Sequence, residues 1–171
     1  MEMVKELRER TGAGIKDCKD ILTQAEGDMQ KAVELLREKG LKVSAKVADR
    51  EANEGRVEVY IHSGNRLATL VEVNCETDFV GRNEDFIELC KGLALHIAAM
   101  NPRYIRAEDV PADVIAESGE TATKYAEQYV LLKQPFVRNA SLTVEDLIKD
   151  TVAKVRENIV IRRFVRYEIG G

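Results

Sequence analysis

The period of the hydrophobic pattern changes near Gly55, which restricts the chain to a helical unit followed by a unit that contains a sheet. From Gly55 to His62, β-branched residues alternate with polar or aromatic ones, and the turn signal Ser63-Gly64-Asn65 follows. A more continuously apolar run then occupies residues 67–73. Strands buried on both faces have such runs, so we predict a β-hairpin whose second strand lies deeper in a sheet.

Before this change, residues 1–40 contain three short helical patterns separated by glycine-containing breaks. The first stops at Thr11-Gly12-Ala13-Gly14, and the second ends at Glu26-Gly27. The third starts after Asp28 as its N-cap and is predicted to end at Gly40. Short amphipathic helices of this kind are not stable alone, so we predict that they share a small core as a compact three-helix domain.

Residues 41–53 lose the apolar stripe and are dominated by small and charged side chains. Such a segment buries little, so we predict a linker that is partly helical. The predicted domain boundary lies near Glu51, with a three-helix domain and linker in residues 1–51 and a core domain in residues 52–171.

The core domain contains several helical patterns after the hairpin, and the chain closes with a strand-like segment. The β-branched and aromatic content of residues 159–169 predicts a strand that joins the sheet of the hairpin. The fold class is therefore α+β, a small antiparallel sheet covered by helices, preceded by the three-helix domain. The predicted helices are a long one from Asn83 to Asn101, a short one after Pro111, a modest one within 116–133 and one beginning at the capping box of Thr143 and Asp146.

The composition excludes several classes of protein. A net charge of -4 over 171 residues indicates neither nucleic acid nor an anionic membrane as a direct partner. No apolar run approaches the roughly 20 residues of a membrane span, and the N-terminus has no secretory core, so we expect a cytoplasmic location. Cys18, Cys75 and Cys90 are widely spaced and odd in number, which argues against disulfides and a zinc site.

Patterns typical of enzymes are missing from the sequence. His62 and His96 lie far apart, one in a predicted strand and one in a predicted helix, so we interpret both as structural histidines. No glycine-rich nucleotide motif is present, and no serine or cysteine has a recognisable base partner. We therefore expect a protein that is not an enzyme and has no cofactor or metal site, which makes interaction with other molecules the default function.

The predicted junction between the second strand and the long helix contains Asp78 and Phe79. Phe79 is either a core aromatic residue at the start of the helix or an exposed wedge beside a carboxylate, and periodicity does not choose between the two. The charged outer faces of the first two helices, including Lys5, Arg8 and Lys19, are likewise either solvated surfaces or a docking site.

Five collinear segments make the chain resemble the translation elongation factor Ts family, the guanine-nucleotide exchange factors of the bacterial GTPase elongation factor Tu. The segment at the junction contains Thr77-Asp78-Phe79-Val80, and the first segment is followed by Asp17-Cys18-Lys19. Together they cover nearly the whole chain. The segments are residues 4–14, 70–80, 94–104, 134–137 and 157–164.

The resemblance implies an N-terminal domain of the ubiquitin-associated type, a core domain that holds the sheet, and a role in protein biosynthesis. The expected partner is elongation factor Tu, in its GDP-bound and nucleotide-free forms. The resemblance places Thr77, Asp78, Phe79 and Val80 at the partner's nucleotide-binding domain near the magnesium site. Its implied N-terminal contacts are Lys5, Arg8, Ile15 and Lys19.

Three features depart from the pattern of the family. Gly81 stands where alanine is usual, which is expected to loosen the preceding tip. The segment 116–133 is shorter than the corresponding segment usual in the family, so a helical protrusion is expected to be missing. The chain also begins almost at its first helix. The short length fits forms with a single core repeat, which leaves the oligomeric state open between monomer and homodimer.

Two other functions compete with nucleotide exchange. One is an interaction module or scaffold without exchange activity, which would not require the Asp78-Phe79 tip. The other, a small hydrolase or transferase, is disfavoured by the missing catalytic motifs.

Overall fold

The structure is a computed structural model that describes residues 2–171. Its helices and strands follow the predicted order, with a two-stranded sheet in addition. Two short 3₁₀ helices, Ala107–Asp109 and Leu131–Lys133, lie between the longer elements. In chain order the elements are α1 Glu2–Thr11, α2 Ile15–Gln24, α3 Met29–Val47, β1 Glu54–Ile61, β2 Leu67–Cys75, α4 Asp78–Gly81, α5 Glu84–Met100, α6 Ala112–Ser118, α7 Ala122–Tyr129, β3 Pro135–Phe136, β4 Asn139–Thr143, α8 Val144–Val155 and β5 Val160–Glu168.

The first three helices share a small core, as predicted. The Asp28 side chain caps α3 by accepting hydrogen bonds from the backbone N–H groups of Gln30 at 2.8 Å and Lys31 at 3.0 Å. The apolar faces of α1, α2 and α3 meet each other, so each short helix is stabilised by the other two. The buried residues are Leu7, Cys18, Ile21, Leu22, Ala25 and Ala32.

The prediction that α3 ends at Gly40 is wrong, because the helix continues to Val47. Gly40 lies against α8, and a Cβ atom added to it would come within 3.0 Å of the Cβ of Ala153. The glycine therefore permits close helix packing and does not act as a C-cap. Val47, at the end of α3, is buried in the core of the unit that contains the main sheet with α5 and α8, which we call the sheet unit. Only the residues after α3 form an irregular connection to β1.

The main sheet is antiparallel with the strand order β1, β2, β5, which confirms the predicted hairpin and the placement of the last strand. Leu70 at the centre of β2 lies opposite Val59 of β1 and Val165 of β5. Helices α5 and α8 form the core of this unit together with one face of the sheet. The largest buried side chains there include Phe86, Leu93, Ile97, Val71, Val73 and Val144.

The other face of the sheet is exposed and mostly apolar, with one ion pair between Glu72 and Arg163 at 2.8 Å. In β1 the polar set Arg56, Glu58 and Tyr60 is the half-buried one, while the β-branched set points away from the helices. This orientation is the reverse of a simple apolar-inside pattern. The exposed apolar residues of this outer face are Val57, Val59, Ile61, Leu70, Val165 and Tyr167.

His96 is a buried structural histidine of α5, as predicted. Its Nδ1 accepts a hydrogen bond from the backbone N–H of Val137 at 3.1 Å. Its Nε2 must then carry the proton, and it donates to Gln134 Oε1 at 2.9 Å. The Gln134 amide group in turn donates to the carbonyl oxygens of Met100 and Gln128. The neutral imidazole thus ties α5 to the segment that contains β3.

This network predicts a loss of stability in mild acid. Burial lowers the pKa of His96 below its ordinary value of 6.5, so the unfolded chain binds a proton more readily than the folded one. The free energy of unfolding should therefore fall as the pH falls from 6.5 toward the folded-state pKa. Urea denaturation of the wild type and of His96→Gln between pH 7.5 and pH 5 measures this contribution.

The His96→Gln variant is expected to lose the part of the pH dependence of the unfolding free energy that comes from His96. The pKa values of Asp17 and Asp146 are also lowered, because hydrogen bonds and nearby cations outweigh the opposing effect of desolvation. Their contributions to the free energy of unfolding are lost only near and below pH 3.8, the ordinary pKa of the side chain. Parallel pH dependences for the two proteins between pH 6.5 and 5 would show that His96 is not responsible.

Candidate functional site

The predicted junction after β2 is a short segment, residues 76–81, which we call the tip. Strand β2 ends at Cys75, and the tip contains the single helical turn α4. Thr77 has extended backbone geometry, and its Oγ1 accepts a hydrogen bond from the N–H of Val80 at 3.4 Å. Thr77 is therefore the N-cap of the turn. The predicted long helix α5 follows from Glu84, and the structure shows that Asn83 is its N-cap.

Phe79 is not a core residue, because 77% of its surface is exposed. Its neighbour Asp78 is also exposed and forms an ion pair with Arg82, four residues later. The guanidinium carbon of Arg82 lies 5.8 Å from the centre of the phenyl ring. The tip thus presents a large aromatic side chain to solvent beside the ion pair of Asp78 and Arg82. Of the two interpretations that periodicity left open, the exposed one is correct.

The side of the tip that faces away from solvent packs against the sheet unit. Val80 is half-buried and packs against the core, and Gly81 is buried. Cys75 donates its thiol proton to the carbonyl oxygen of Thr77, with an Sγ to O distance of 3.1 Å. Burial raises the pKa of the Cys75 thiol to about 11, so the thiol keeps its proton at neutral pH. The exposed ring therefore extends from an ordered base.

Gly55 lets β1 approach this base closely. Its φ of +137° lies outside the range that other residues adopt, and an added Cβ atom would lie 2.1 Å from the carbonyl oxygen of Val73. Gly81 packs against the backbone of Gly55. A glycine inside a strand pattern was the available sequence signal for such a contact, and sequence reasoning used it only to mark the start of the strand.

Gly81 does not need to be glycine, and Gly81→Ala is expected to stabilise the protein. A Cβ atom there would meet its nearest atom, the carbonyl oxygen of Gly55, at 3.4 Å, an ordinary contact. Alanine also restricts the unfolded chain, so the free energy of unfolding should rise by about 0.5–1 kcal/mol. Urea denaturation measures the change. A lower stability of the variant would mean that the contact with Gly55 is too tight for a methyl group.

The four N-terminal candidates lie on the three-helix unit, while the tip belongs to the sheet unit. Lys5 and Arg8 are exposed one turn apart on α1, and Lys5 lies 3.9 Å from Glu9. Ile15 and Lys19 are exposed one turn apart on α2, where Ile15 has 61% of its surface free. The structure thus arranges these residues as two exposed pairs, each on one helix face.

Sequence reasoning missed the residues that hold the base of the tip from outside it. Glu157 and Asn158, in the loop after α8, make hydrogen bonds to Glu76 and Thr77. These residues stand within the matched segment 157–164, but no local signal connects them with the tip. About 80 positions of sequence separate these residues from Glu76 and Thr77, so hydrophobic periodicity could not predict the contact.

Within residues 2–171, no group of three or more His, Cys, Asp or Glu side chains is placed to hold a metal ion. Over the same residues, none of the helices has the length and hydropathy that a membrane crossing requires.

The comparisons with known proteins agree with one another. The family model described as elongation factor TS matches residues 2–128, which include the tip and the three-helix unit. The chain is 47% identical over 192 aligned residues to elongation factor Ts of Herpetosiphon aurantiacus, with 99% of this chain and 97% of the relative covered. It is 48% identical over 191 residues to elongation factor Ts of Carboxydothermus hydrogenoformans, covering 99% and 88% of the two chains.

These alignments are longer than the 171 residues of this chain. They therefore contain gaps on its side, and both relatives carry residues that it lacks.

Proposed function

Because this chain belongs to the elongation factor Ts family, a family of translation elongation factors, we propose that it binds elongation factor Tu and promotes the release of GDP in the cytoplasm. The observation that supports this proposal most directly is the exposed phenyl ring of Phe79 on an ordered base. An aromatic side chain that is exposed in the free protein and buried in a complex is a typical anchor of an interface.

Exchange by this protein requires no covalent chemistry, so we propose that it is not an enzyme in the chemical sense. A factor that binds the nucleotide-free GTPase more tightly than the GDP-bound form weakens GDP binding by the same ratio. In this mechanism Phe79 enters the partner's nucleotide-binding domain, and Asp78 lies beside it near the magnesium site. A displaced magnesium ion no longer neutralises the phosphates of GDP, so the nucleotide leaves faster.

We propose that the two pairs on α1 and α2, Lys5 with Arg8 and Ile15 with Lys19, make a second contact with the same partner. Two linked contacts increase the apparent affinity, because the second forms at a high effective concentration. Titration of nucleotide-free elongation factor Tu with Lys19→Ala is expected to show weaker binding with an unchanged melting temperature. An unchanged affinity would remove Lys19 from the interface.

The exposed outer face of the sheet supports a homodimer as a further proposal. Its apolar residues form a continuous patch across three strands, with Val59, Leu70 and Val165 opposite one another. Patches of this kind are typical of protein interfaces. Sedimentation is expected to show a dimer for the wild type and a monomer for Val59→Asp, whose side chain lies on the edge strand. A monomeric wild type at micromolar concentration would contradict this proposal.

The direct test of the exchange function follows fluorescent GDP bound to elongation factor Tu after excess unlabelled nucleotide is added. This protein is expected to accelerate the release in proportion to its concentration until it saturates. Binding to elongation factor Tu without faster release would favour the alternative, an interaction module or scaffold without exchange activity.

A further inference from the structure

The base of the tip accepts support from a residue far later in the sequence, because the side-chain carboxylate of Glu157 binds it. Glu157 follows α8 in the loop that leads into β5. Its Oε2 accepts hydrogen bonds from the backbone N–H groups of Glu76 and Thr77, both at 3.0 Å. Its Oε1 accepts the hydroxyl proton of Thr77 at 2.6 Å. One half-buried side chain thus uses both oxygens on two consecutive residues of the tip.

The bond to the hydroxyl group decides how Thr77 caps the turn. A threonine hydroxyl has one proton, and Thr77 donates it to Glu157, so a lone pair is left to accept from the N–H of Val80. A charged carboxylate is a stronger acceptor than a neutral group. Glu157 therefore orients the cap of the single turn from which Phe79 projects.

A second connection leads from the same loop to the three-helix unit. The Glu76 side chain accepts the backbone N–H of Asn158 at 2.7 Å. The Asn158 amide group donates to the carbonyl oxygens of Ala48 at 3.0 Å and Arg50 at 2.7 Å, in the segment between α3 and β1. The loop at 157–158 thus joins the base of the tip to the chain that leaves the three-helix unit.

We propose that Glu157 is a positioning residue for nucleotide exchange, acting through Thr77 to hold the tip in the orientation that its partner requires. This inference rests on the proposed exchange function. A tip of one helical turn has few bonds of its own, and ordering it during association would reduce the binding free energy. Glu157 orders the tip before the partner arrives.

The test compares Glu157→Gln with Glu117→Gln, a matched control on α6 that removes the same charge at an exposed position. Glutamine keeps the length of the side chain but replaces one acceptor oxygen by a donor group. We expect Glu157→Gln to reduce the maximal rate of GDP release about tenfold and Glu117→Gln to leave it unchanged. Hydrogen exchange of the amides of Glu76 and Thr77, measured by NMR on the free protein, should become at least tenfold faster only in Glu157→Gln.

The hydroxyl group gives a second test of the same bond. Thr77→Ser keeps the hydroxyl group that donates to Glu157, so it should reduce the acceleration of GDP release less than Thr77→Ala does. If Glu157 acts through Thr77, then Glu157→Gln should reduce the rate much less in the Thr77→Ala protein than in the wild type. Effects that multiply fully in the double variant would overturn this route. The Thr77 pair also reports on the bond if Glu157→Gln is too unstable for kinetics.

The outcomes separate the positioning role from the exchange function. If the wild type itself fails to accelerate GDP release, the exchange function is wrong, and the amide measurement alone decides whether Glu157 holds the tip. If Glu157→Gln speeds the amide exchange but leaves GDP release unchanged, the residue is structural only. Unchanged amide exchange in Glu157→Gln would overturn the proposal outright.

Discussion

Replacing Phe79 with alanine will remove most of the acceleration of GDP release while leaving the fold stable. The ring is 77% exposed, so its removal takes little apolar surface out of the core. Substitutions at such sites change the free energy of unfolding by roughly 0.5 kcal/mol or less. An anchor that is desolvated in a complex is worth about 2 kcal/mol or more, which corresponds to a roughly 30-fold loss.

The same substitution at Phe86 is the matched control. Phe86 is fully buried at the start of α5, a few residues from the tip in sequence. Phe86→Ala should lower the free energy of unfolding by about 3–5 kcal/mol. Thermal unfolding and fluorescent GDP release of both variants separate the two roles. If Phe79→Ala lost as much stability as Phe86→Ala, the ring would belong to the core and the proposed mechanism would lose its main support.

Replacing Gly55 with alanine will have the largest effect on stability among the glycines near the tip. The new Cβ atom would lie 2.1 Å from the carbonyl oxygen of Val73, so β1 and β2 would have to separate locally. The φ of +137° adds backbone strain for any residue with a side chain. Together these effects should lower the free energy of unfolding by about 3 kcal/mol or more.

Gly81→Ala provides the comparison for this prediction, since the two glycines touch and only one of them is required. Urea denaturation should show opposite signs for the two substitutions. Nucleotide exchange by Gly55→Ala should also fall at temperatures where the variant is folded, because the base of the tip rests on the displaced strand. A Gly55→Ala protein as stable as the wild type would show that β1 can move without cost.

The sequence alone predicted the elements whose signals are local. The hairpin, the Asp28 cap and the capping box of Thr143 and Asp146 all occur where the residue pattern placed them. The end of α5 at Asn101 was also correct, and the structure adds that Asn101 adopts the left-handed conformation of a helix cap. These features depend on neighbours within one or two turns, which is why they can be found without coordinates.

Gly40 shows where a local signal is misleading. Glycine is typical of helix ends, but here it lies inside α3 because Ala153 of α8 packs against it. The short pairing of β3 with β4 was not among the predicted elements. At Gly40 the contact with α8 outweighed the local preference.

The amino-acid sequence by itself determined the α+β class, the three-helix unit and the strand that leads to the tip, because hydrophobic periods and capping residues act over short distances. Only the tertiary structure decided that Phe79 faces solvent, that the β-branched face of β1 is the outer one, and that Glu157 binds Thr77. Which face of an element is buried depends on what packs against it, and that is a property of the whole chain.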